Sequence, residues 1–239
     1  MRRNILARLE ADVKVEECLE RIFHLKRGEK PVKTMDLAKE LGFPPSTVST
    51  LLKKLSVDGL VKYVSHRGVM LTDKGQKLAI EVVRRHRLSE RLLTDVIGLD
   101  WTAAHDEACK LEHVISKEVA KKVEDALGNP ETCPHGNPIP SEEGGMPKDE
   151  AKPLSEASPP EEAVVASVID EDPKLLQKLL SLGILPGTKI LIKERSPLGG
   201  PLILKVGDSE VAVGNSVASK IKIKGGRRAR RRKRRGTRF

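Results

Sequence analysis

Residues 105–115 carry the densest set of side chains that could bind a metal ion. Within the run HDEACKLEHVI, four such residues recur at positions i, i+4, i+7 and i+8: His105, Cys109, Glu112 and His113. At 3.6 residues per turn, these positions fall on one stripe of a helix. Imidazole, thiolate and carboxylate ligands together suit divalent iron, manganese, cobalt, nickel or zinc. The spacing therefore predicts a metal-binding helix.

Two other predicted helices add ligand types of the same kind. His86 and Glu90 lie at i, i+4 in RRHRLSE, and Glu17 and Glu20 lie at i, i+3 near the N-terminus. Taken singly, such residues are ordinary features of helices, and a lone cysteine is mostly a small hydrophobe. The helices that carry His105 and His86 are expected to face each other, and their six candidates of matching chemistry favour a metal site over chance.

The elements before this cluster have the order of a winged helix-turn-helix domain, assigned to residues 1–74. Helical patterns over 4–27 and 34–41 precede the turn GFPP and a third helix, STVSTLLKKLSVDG. Two short β-rich segments around SHRG then predict a β-hairpin. A helix-helix-turn-helix-hairpin order predicts DNA binding.

The remaining chain divides into a helical domain, a linker, a β domain and a tail. Residues 75–140 are assigned to a helical domain, since the helical pattern over 72–127 breaks only at Gly98 and before Thr102. Residues 141–162 hold seven acidic residues and four prolines, which indicates a flexible acidic linker. Alternating apolar residues and Gly/Pro turns over 163–224 predict a small β-barrel with one helix. Residues 225–239 are expected to form a disordered basic tail.

Composition bounds the class of protein. The 239 residues have a net charge of +10, but nine Lys or Arg lie in the last fifteen residues, so overall charge only weakly indicates nucleic-acid binding. Three widely spaced cysteines argue against a disulfide framework. No apolar run is long enough to span a bilayer, and the N-terminus becomes charged too soon for a secretory signal. We therefore expect a cytoplasmic protein without a membrane partner.

The segment RRHRLSERLLTDVIGLDWTAAHDEACKLEHVIS closely resembles the metal-binding core of the diphtheria toxin repressor family of metalloregulators. The resemblance extends over the winged helix, the GNPIP segment and a C-terminal SH3-like domain similar to one of ferrous-iron transport systems. It leaves out the linker and the tail. It implies a multidomain fold with a mainly α N-terminal part, comprising the winged helix and a dimerisation domain, and a small all-β SH3-like barrel.

The resemblance also implies two sets of metal ligands. One set is His86, Glu90, His105 and an acid of the SH3-like domain, aligned with Asp172, while Leu175 occupies the family's amide position. The other set is Glu17, Cys109, Glu112 and His113, and Glu20 matches an acid of the manganese-sensing branch. The iron-sensing branch has Met at Glu17, and the manganese-sensing branch has Glu at Cys109. The thiolate favours Fe²⁺, with Mn²⁺ as the alternative, and Co²⁺, Ni²⁺ or Zn²⁺ are expected to bind in vitro.

The predicted DNA-binding residues lie on the third helix and the hairpin. They are Pro45, Ser46, Thr47, Ser49, Thr50 and Lys53 on the helix, and Tyr63, Ser65, His66 and Arg67 on the wing. Small hydroxyls and methyls suit phosphates and thymine methyls, although the same residues could merely cap a helix and form a solvated face. The family implies a homodimer through residues 75–127 that binds double-stranded operator DNA with inverted repeats. We expect a repressor of iron or manganese homeostasis genes.

Other interpretations stay open at this point. Cys133 and His135 could be an additional ligand pair, but CPHGNPIP is preferred as a rigid connector because no partner ligands are evident. A metalloenzyme would need a general base or nucleophile, and none is evident, so neither catalysis nor a small-molecule substrate is expected. A DNA-binding protein with vestigial metal sites, controlled by a small molecule, is the second alternative. The basic tail could bind DNA or RNA, or be inert.

Overall fold

The computed structural model describes residues 2–26 and 28–228, with side chains for 12–26 and 28–225. The chain divides into two units. The first comprises Met1–Leu93, Asp106–Pro130 and Ile139–Pro147, and the second comprises Thr94–His105, Glu131–Pro138 and Lys148–Phe239. Among the described residues, no helix is long and apolar enough to cross a membrane.

The first unit begins with the predicted winged helix-turn-helix. Its elements are α1 (Arg2–Leu25), α2 (Thr34–Leu41), α3 (Pro45–Val57), β1 (Val61–Val64) and β2 (Gly68–Leu71). Pro45 opens α3 because its fixed φ suits the first helical turn, where the missing N–H has no partner to lose. Strands β1 and β2 form an antiparallel hairpin, and His66 at its turn has a φ of 62°. The fully buried Leu19, Leu37 and Leu52 pack α1, α2 and α3 into one core.

Three further helices complete the first unit. They are α4 (Asp73–Arg91), α5 (Ala104–Leu111), which enters this unit at Asp106, and α6 (Lys117–Ala126). Helix α4 begins where the Thr72 hydroxyl accepts a hydrogen bond from the Gly75 amide at 3.1 Å. A larger residue would not fit at position 75, since a Cβ there would lie 2.0 Å from the Leu60 carbonyl oxygen. A five-residue π-helical turn, Leu92–Val96, follows α4.

The second unit contains the predicted β domain as a six-stranded antiparallel sheet within its described residues. The order is β3-β8-β4-β5-β6-β7, and the bounds are β3 (Lys152–Pro153), β4 (Glu161–Val168), β5 (Lys189–Arg195), β6 (Leu202–Val206), β7 (Ser209–Val213) and β8 (Ile221–Arg228). Helix α7 (Pro173–Ser181) and the short helix α8 (Asn215–Ala218) complete it. Buried Leu176, Ile192 and Leu204 lie in the core. The mainly α N-terminal part and the small β domain are confirmed.

The boundaries of the β domain differ from those predicted. Residues 152–162 were assigned to the flexible linker, but β3 pairs with β8 there, and a 3-10 turn, Leu154–Glu156, buries Leu154 completely in the core. An ion pair of 2.7 Å between Lys152 and Glu161 joins the ends of this segment. The acidic residues and prolines predicted a linker, although one apolar residue of this segment, Leu154, packs in the core. At the other end, β8 continues to Arg228, and the rest of the predicted basic tail, 229–239, lies outside the described residues.

Candidate metal centre and DNA-binding surface

Three buried side chains of the first unit meet in one cluster: Glu20, His86 and Glu112. One ligand atom from each lies within 4.8 Å of the other two. The His86 Nδ1 atom is 2.5 Å from Glu112 Oε2, and its Nε2 atom is 3.1 Å from Glu90 Oε1. The cluster contains two carboxylates and one imidazole, which are common ligands of divalent first-row metals.

Three separate elements supply this cluster. Glu20 lies on α1, His86 on α4, and Glu112 in the turn that follows α5. The predicted single helical stripe is therefore interrupted, because α5 ends at Leu111. The Glu112 amide still donates a helical hydrogen bond of 2.9 Å to the Ala108 carbonyl, so its side chain stays near the helix. The Cys109 sulfur is 4.0 Å from His86 Nδ1.

The two clustered carboxyl groups have opposite pKa shifts. Burial raises the pKa of Glu112, and the negative charge of Glu20 raises it further. Burial also opposes ionisation of Glu20, but hydrogen bonding from His24 and the charge of His86 hold its pKa below the ordinary value. Two buried acids at this separation repel one another when both are ionised. A bound divalent cation would remove that repulsion, so the residues fit a metal ion.

His113 has a different neighbour from the one expected. Its Nδ1 atom is 2.8 Å from Glu16 Oε2, and its Nε2 atom is 3.2 Å from Glu112 Oε1. Burial lowers the pKa of His113, but the hydrogen bond to Glu16 and the charges of Glu112, Glu16 and Glu17 raise it above the ordinary value. Sequence analysis missed Glu16. Its one signal was its place directly before Glu17 in the acidic segment EECLE.

A second group of ligand types lies wholly in the second unit. Glu171 Oε2 is 2.6 Å from His105 Nδ1, and Glu171 Oε1 is 3.7 Å from His135 Nδ1. The Asn137 side-chain amide donates to Glu171 Oε1 at 2.9 Å. Ligand atoms of Cys133, His135 and Glu171 lie within 4.8 Å of one another. Cys133 and His135, interpreted from the sequence as a connector, are thus both buried beside an acid.

Asp172, the acid of the β domain that was predicted to be a ligand, lies at the start of α7. Its carboxylate caps α7 by accepting a hydrogen bond of 3.0 Å from the Leu175 amide. An aspartate directly before Pro173 at a helix start has this role often, because it satisfies a free backbone N–H. The neighbouring Glu171 contacts His105 instead. The prediction that His86, Glu90 and His105 share one metal stays a prediction.

The predicted DNA-binding residues are exposed or half-buried on α3 and the hairpin. Those that are exposed are Pro45, Ser46, Thr47, Thr50, Lys53, Ser65, His66 and Arg67, while Ser49 and Tyr63 are half-buried. The Tyr63 hydroxyl donates to Ser49 Oγ at 3.4 Å and so connects the hairpin to α3. Thr50 donates to its own helix, at the Ser46 carbonyl. These contacts leave most of the polar surface of α3 facing solvent.

The first unit also has an apolar groove on α6. Its volume is about 440 Å³, and it is lined by Leu92, Glu118, Val119, Lys122, Val123 and Ala126. Val119 is 48% exposed, and Val114 before α6 is 75% exposed. Within residues 75–127, the region predicted to form the dimer, Leu93 is buried, whereas Val96 and Ile97, which belong to the second unit, are exposed.

A winged helix whose first helix shares a buried carboxylate–imidazole cluster with the following helices defines a metal-dependent DNA-binding regulator. Residues 13–69 match the family described as iron dependent repressor, N-terminal DNA binding domain. Residues 72–141 match iron dependent repressor, metal binding and dimerisation domain, and residues 152–225 match the FeoA domain. The chain belongs to the iron-dependent repressor family and is a metal-dependent, DNA-binding transcriptional repressor.

Individual relatives agree with this assignment. The chain is 36% identical over 221 residues to the iron-dependent repressor IdeR of Mycobacterium tuberculosis, covering 87% of this chain and 95% of that protein. It is 43% identical over 126 residues to the diphtheria toxin repressor of Corynebacterium diphtheriae, covering 52% of this chain and 55% of that protein.

Solved structures show the same architecture. A manganese-dependent transcriptional repressor in complex with manganese superposes with a TM-score of 0.81 at 32% identity, covering 87% of this chain and 98% of that one. The manganese regulator SloR superposes with a TM-score of 0.76 at 26% identity, covering 88% and 97%. Iron- and manganese-dependent repressors are therefore both among the similar proteins.

Proposed function

We propose that this protein represses iron or manganese homeostasis genes by binding an inverted-repeat operator as a dimer loaded with Fe²⁺ or, alternatively, Mn²⁺. The observation that carries the proposal is the buried cluster of Glu20, His86 and Glu112. Glu20 lies in the segment that matches the DNA-binding domain, and the other two lie in the metal binding and dimerisation domain. One ion held there would connect the two domains.

The ligands proposed for the first unit combine hard and soft atoms. They are Glu17, Glu20, Cys109, Glu112 and His113, with His86 beside them. The cysteine thiolate favours Fe²⁺, and the carboxylates accommodate Mn²⁺. Because Ni²⁺, Co²⁺ and Zn²⁺ bind such ligands at least as tightly, availability in the cell would contribute to selection.

For the second unit we propose that Glu171, not Asp172, supplies the acidic ligand. Its contact with His105 and its position beside Cys133 and His135 support this choice, as does the capping role of Asp172. Cys133 and His135 then add ligands of their own and do more than connect two segments. Trp101 offers a local probe, since its ring centroid lies 5.0 Å from that of His135.

The metal would supply positive charge at the cluster, and the protein's own residues would transmit its effect to the DNA-binding helix α3. Neutralising the cluster lets Glu20 stay against α4 and α5, which fixes the direction of α1. The hydrophobic core joins α1 to α3, so α3 is fixed too. In a dimer this sets the spacing of two recognition helices. A coupling free energy of about 1–3 kcal/mol gives a useful switch.

On the DNA, the hydroxyls of α3 would contact phosphates and thymine methyls. Lys53 and the wing residues Ser65, His66 and Arg67 would contact phosphates. Because no Arg or Gln lies at the start of α3 to pair with a base edge, DNA shape would provide much of the specificity.

The test is fluorescence-anisotropy binding to an inverted-repeat promoter fragment with chelator, with anaerobic Fe²⁺ and with Mn²⁺. We expect tight binding only with metal, and the metal that acts at lower concentration identifies the sensing branch. Glu20→Gln should lose the metal-dependent part of the affinity, about 5- to 150-fold. Glu107→Gln, an exposed change on α5, is the matched control. Equal binding of the wild type with chelator and with metal would refute the proposal.

A further inference from the structure

Glu16 on α1 contacts two side chains at once, one through each carboxylate oxygen. Its Oε1 atom is 2.7 Å from Arg85 Nη2, and its Oε2 atom is 2.8 Å from His113 Nδ1. Arg85 lies on α4, and His113 lies in the turn after α5. The side chains of Arg85 and His113 are 12% and 7% exposed, so solvent screens these contacts less than surface ion pairs. A single carboxylate therefore joins α1, α4 and the turn after α5 without a metal.

The contact with Glu16 also determines how the His113 ring is turned. With Nδ1 at Glu16, the other ring nitrogen, Nε2, lies 3.2 Å from Glu112 Oε1 and so points toward the buried cluster. A carboxylate that accepts a hydrogen bond from one imidazole nitrogen fixes the ring orientation and makes the other nitrogen a better metal ligand. Glu16 is such a carboxylate for His113, because it contacts Nδ1 and leaves Nε2 directed toward the cluster.

Arg85 makes Glu16 unsuitable as a ligand itself. Both Glu16 oxygens already face a donor, and a guanidinium keeps its charge at every accessible pH. A metal ion bound to Glu16 would lie beside that positive charge. Glu20, on the same helix, contacts His24 at 3.6 Å and also lies in the buried cluster with His86 and Glu112.

We propose that Glu16 is a positioning residue that orients His113 toward the metal site and, through Arg85, holds α1 against α4 in the metal-free protein. The inference rests on the proposed function for the identity of the site, and goes beyond it by giving α1 a metal-independent attachment. The DNA-binding domain would therefore be partly in place before metal arrives. Removing Glu16 would weaken metal binding although it removes no ligand.

The test measures Mn²⁺ binding directly, from the electron paramagnetic resonance signal of the free ion, without DNA. Glu16→Ala removes both contacts, and we expect its Mn²⁺ affinity to fall about 10- to 100-fold. Glu16→Gln keeps an acceptor for His113 Nδ1, so its loss should stay below about tenfold. Arg85→Met should change Mn²⁺ affinity little, because the His113 contact remains. Glu81→Gln, which removes an ion pair between α4 and Lys117 of α6, is the matched control.

Hydrogen exchange in the metal-free protein tests the attachment of α1. Glu16→Ala and Arg85→Met should both exchange faster over residues 12–25, while Glu81→Gln should match the wild type. Mn²⁺ affinity of Glu16→Ala within twofold of the wild type would overturn the positioning role. Equal large losses in Glu16→Gln and Glu16→Ala would overturn it too, by making Glu16 a ligand. If the wild type itself bound no Mn²⁺ or Fe²⁺, the proposed function would fail instead, so the two failures are distinguishable.

Discussion

Replacing Glu112 with glutamine is predicted to stabilise the metal-free protein and to abolish the stabilisation by metal bound at the cluster of Glu20, His86 and Glu112. The Glu112 side chain is 2% exposed, and its carboxylate lies within 4.8 Å of that of Glu20. Glutamine keeps the shape and an acceptor for His86 but removes one of two buried like charges. At this separation their repulsion is about 3 kcal/mol with an effective dielectric constant of about 20.

Attraction of Glu112 to His86 and His113 offsets most of that repulsion. We therefore expect a net gain of about 1 kcal/mol, or about 2–4 °C in the melting temperature of the metal-free protein. Mn²⁺ bound at this cluster, at about 100 times its Kd, should add about 2.7 kcal/mol to the wild type and almost nothing to Glu112→Gln. The stability order of the two proteins thus reverses between the metal-free and the metal-loaded state.

The pH dependence has a definite sign. Burial and the charge of Glu20 raise the pKa of Glu112 above its ordinary value of 4.5. The protonated Glu112 side chain therefore stabilises the fold most fully below pH 4.5. The contribution is lost as the pH rises through the raised pKa. The advantage of metal-free Glu112→Gln over the wild type should therefore grow from acidic to neutral pH.

Thermal unfolding followed by circular dichroism, with chelator and with Mn²⁺, measures both effects. The exposed change Glu107→Gln is the control for loss of one negative charge. The reasoning is refuted if metal-free Glu112→Gln melts below the wild type, or if Mn²⁺ raises both melting temperatures equally. The first result would mean that the protein alone satisfies the carboxylate, and the second that Glu112 is not needed to bind the metal.

Three other predictions test separate features. Cys109→Glu replaces a thiolate with a hard oxygen ligand, so it should raise the Mn²⁺ affinity relative to Fe²⁺, as measured by competition between the two ions. Arg84→Met removes the buried guanidinium that donates to Glu124 and the Pro140 carbonyl, and should lower the free energy of unfolding by about 3 kcal/mol in urea titrations. Deleting residues 229–239 removes seven Lys or Arg from each chain of the dimer. If all of them contact phosphates, the slope of log K against log salt for DNA binding should fall by about 6 for each chain, and an unchanged slope would show that the tail does not bind DNA.

Local patterns predicted the elements well. Pro45 begins α3, and the two β-rich segments around SHRG form the hairpin, because these signals act through the backbone of a few neighbouring residues. The break after Leu111 was missed, since Glu112 and His113 continue the helical spacing although the helix has ended.

Contacts between distant segments were harder to predict. Glu16 and Glu171 each stand directly beside the acid that was chosen from the sequence, and on α1 a shift of one residue turns the side chain by about 100°. The packing of α1 determines which of Glu16 and Glu17 faces inward, and the cap of α7 determines the orientation of Asp172. The spacing of the ligands in the sequence predicts neither of these. Leu154 shows the same limit, because one buried leucine outweighs a segment rich in acids and prolines.

The unfavourable charge of the cluster explains how a small ion could control α1. A site already satisfied by hydrogen bonds would gain little from a cation, and α1 would be attached equally well in both states. Two buried carboxylates instead make the metal-free state costly, while Glu16 keeps α1 near its bound position. The repulsion between the carboxylates and the attachment by Glu16 act on α1 in opposite directions. The metal needs to supply only the difference between them, so a coupling free energy of about 1–3 kcal/mol can arise from a much larger binding free energy.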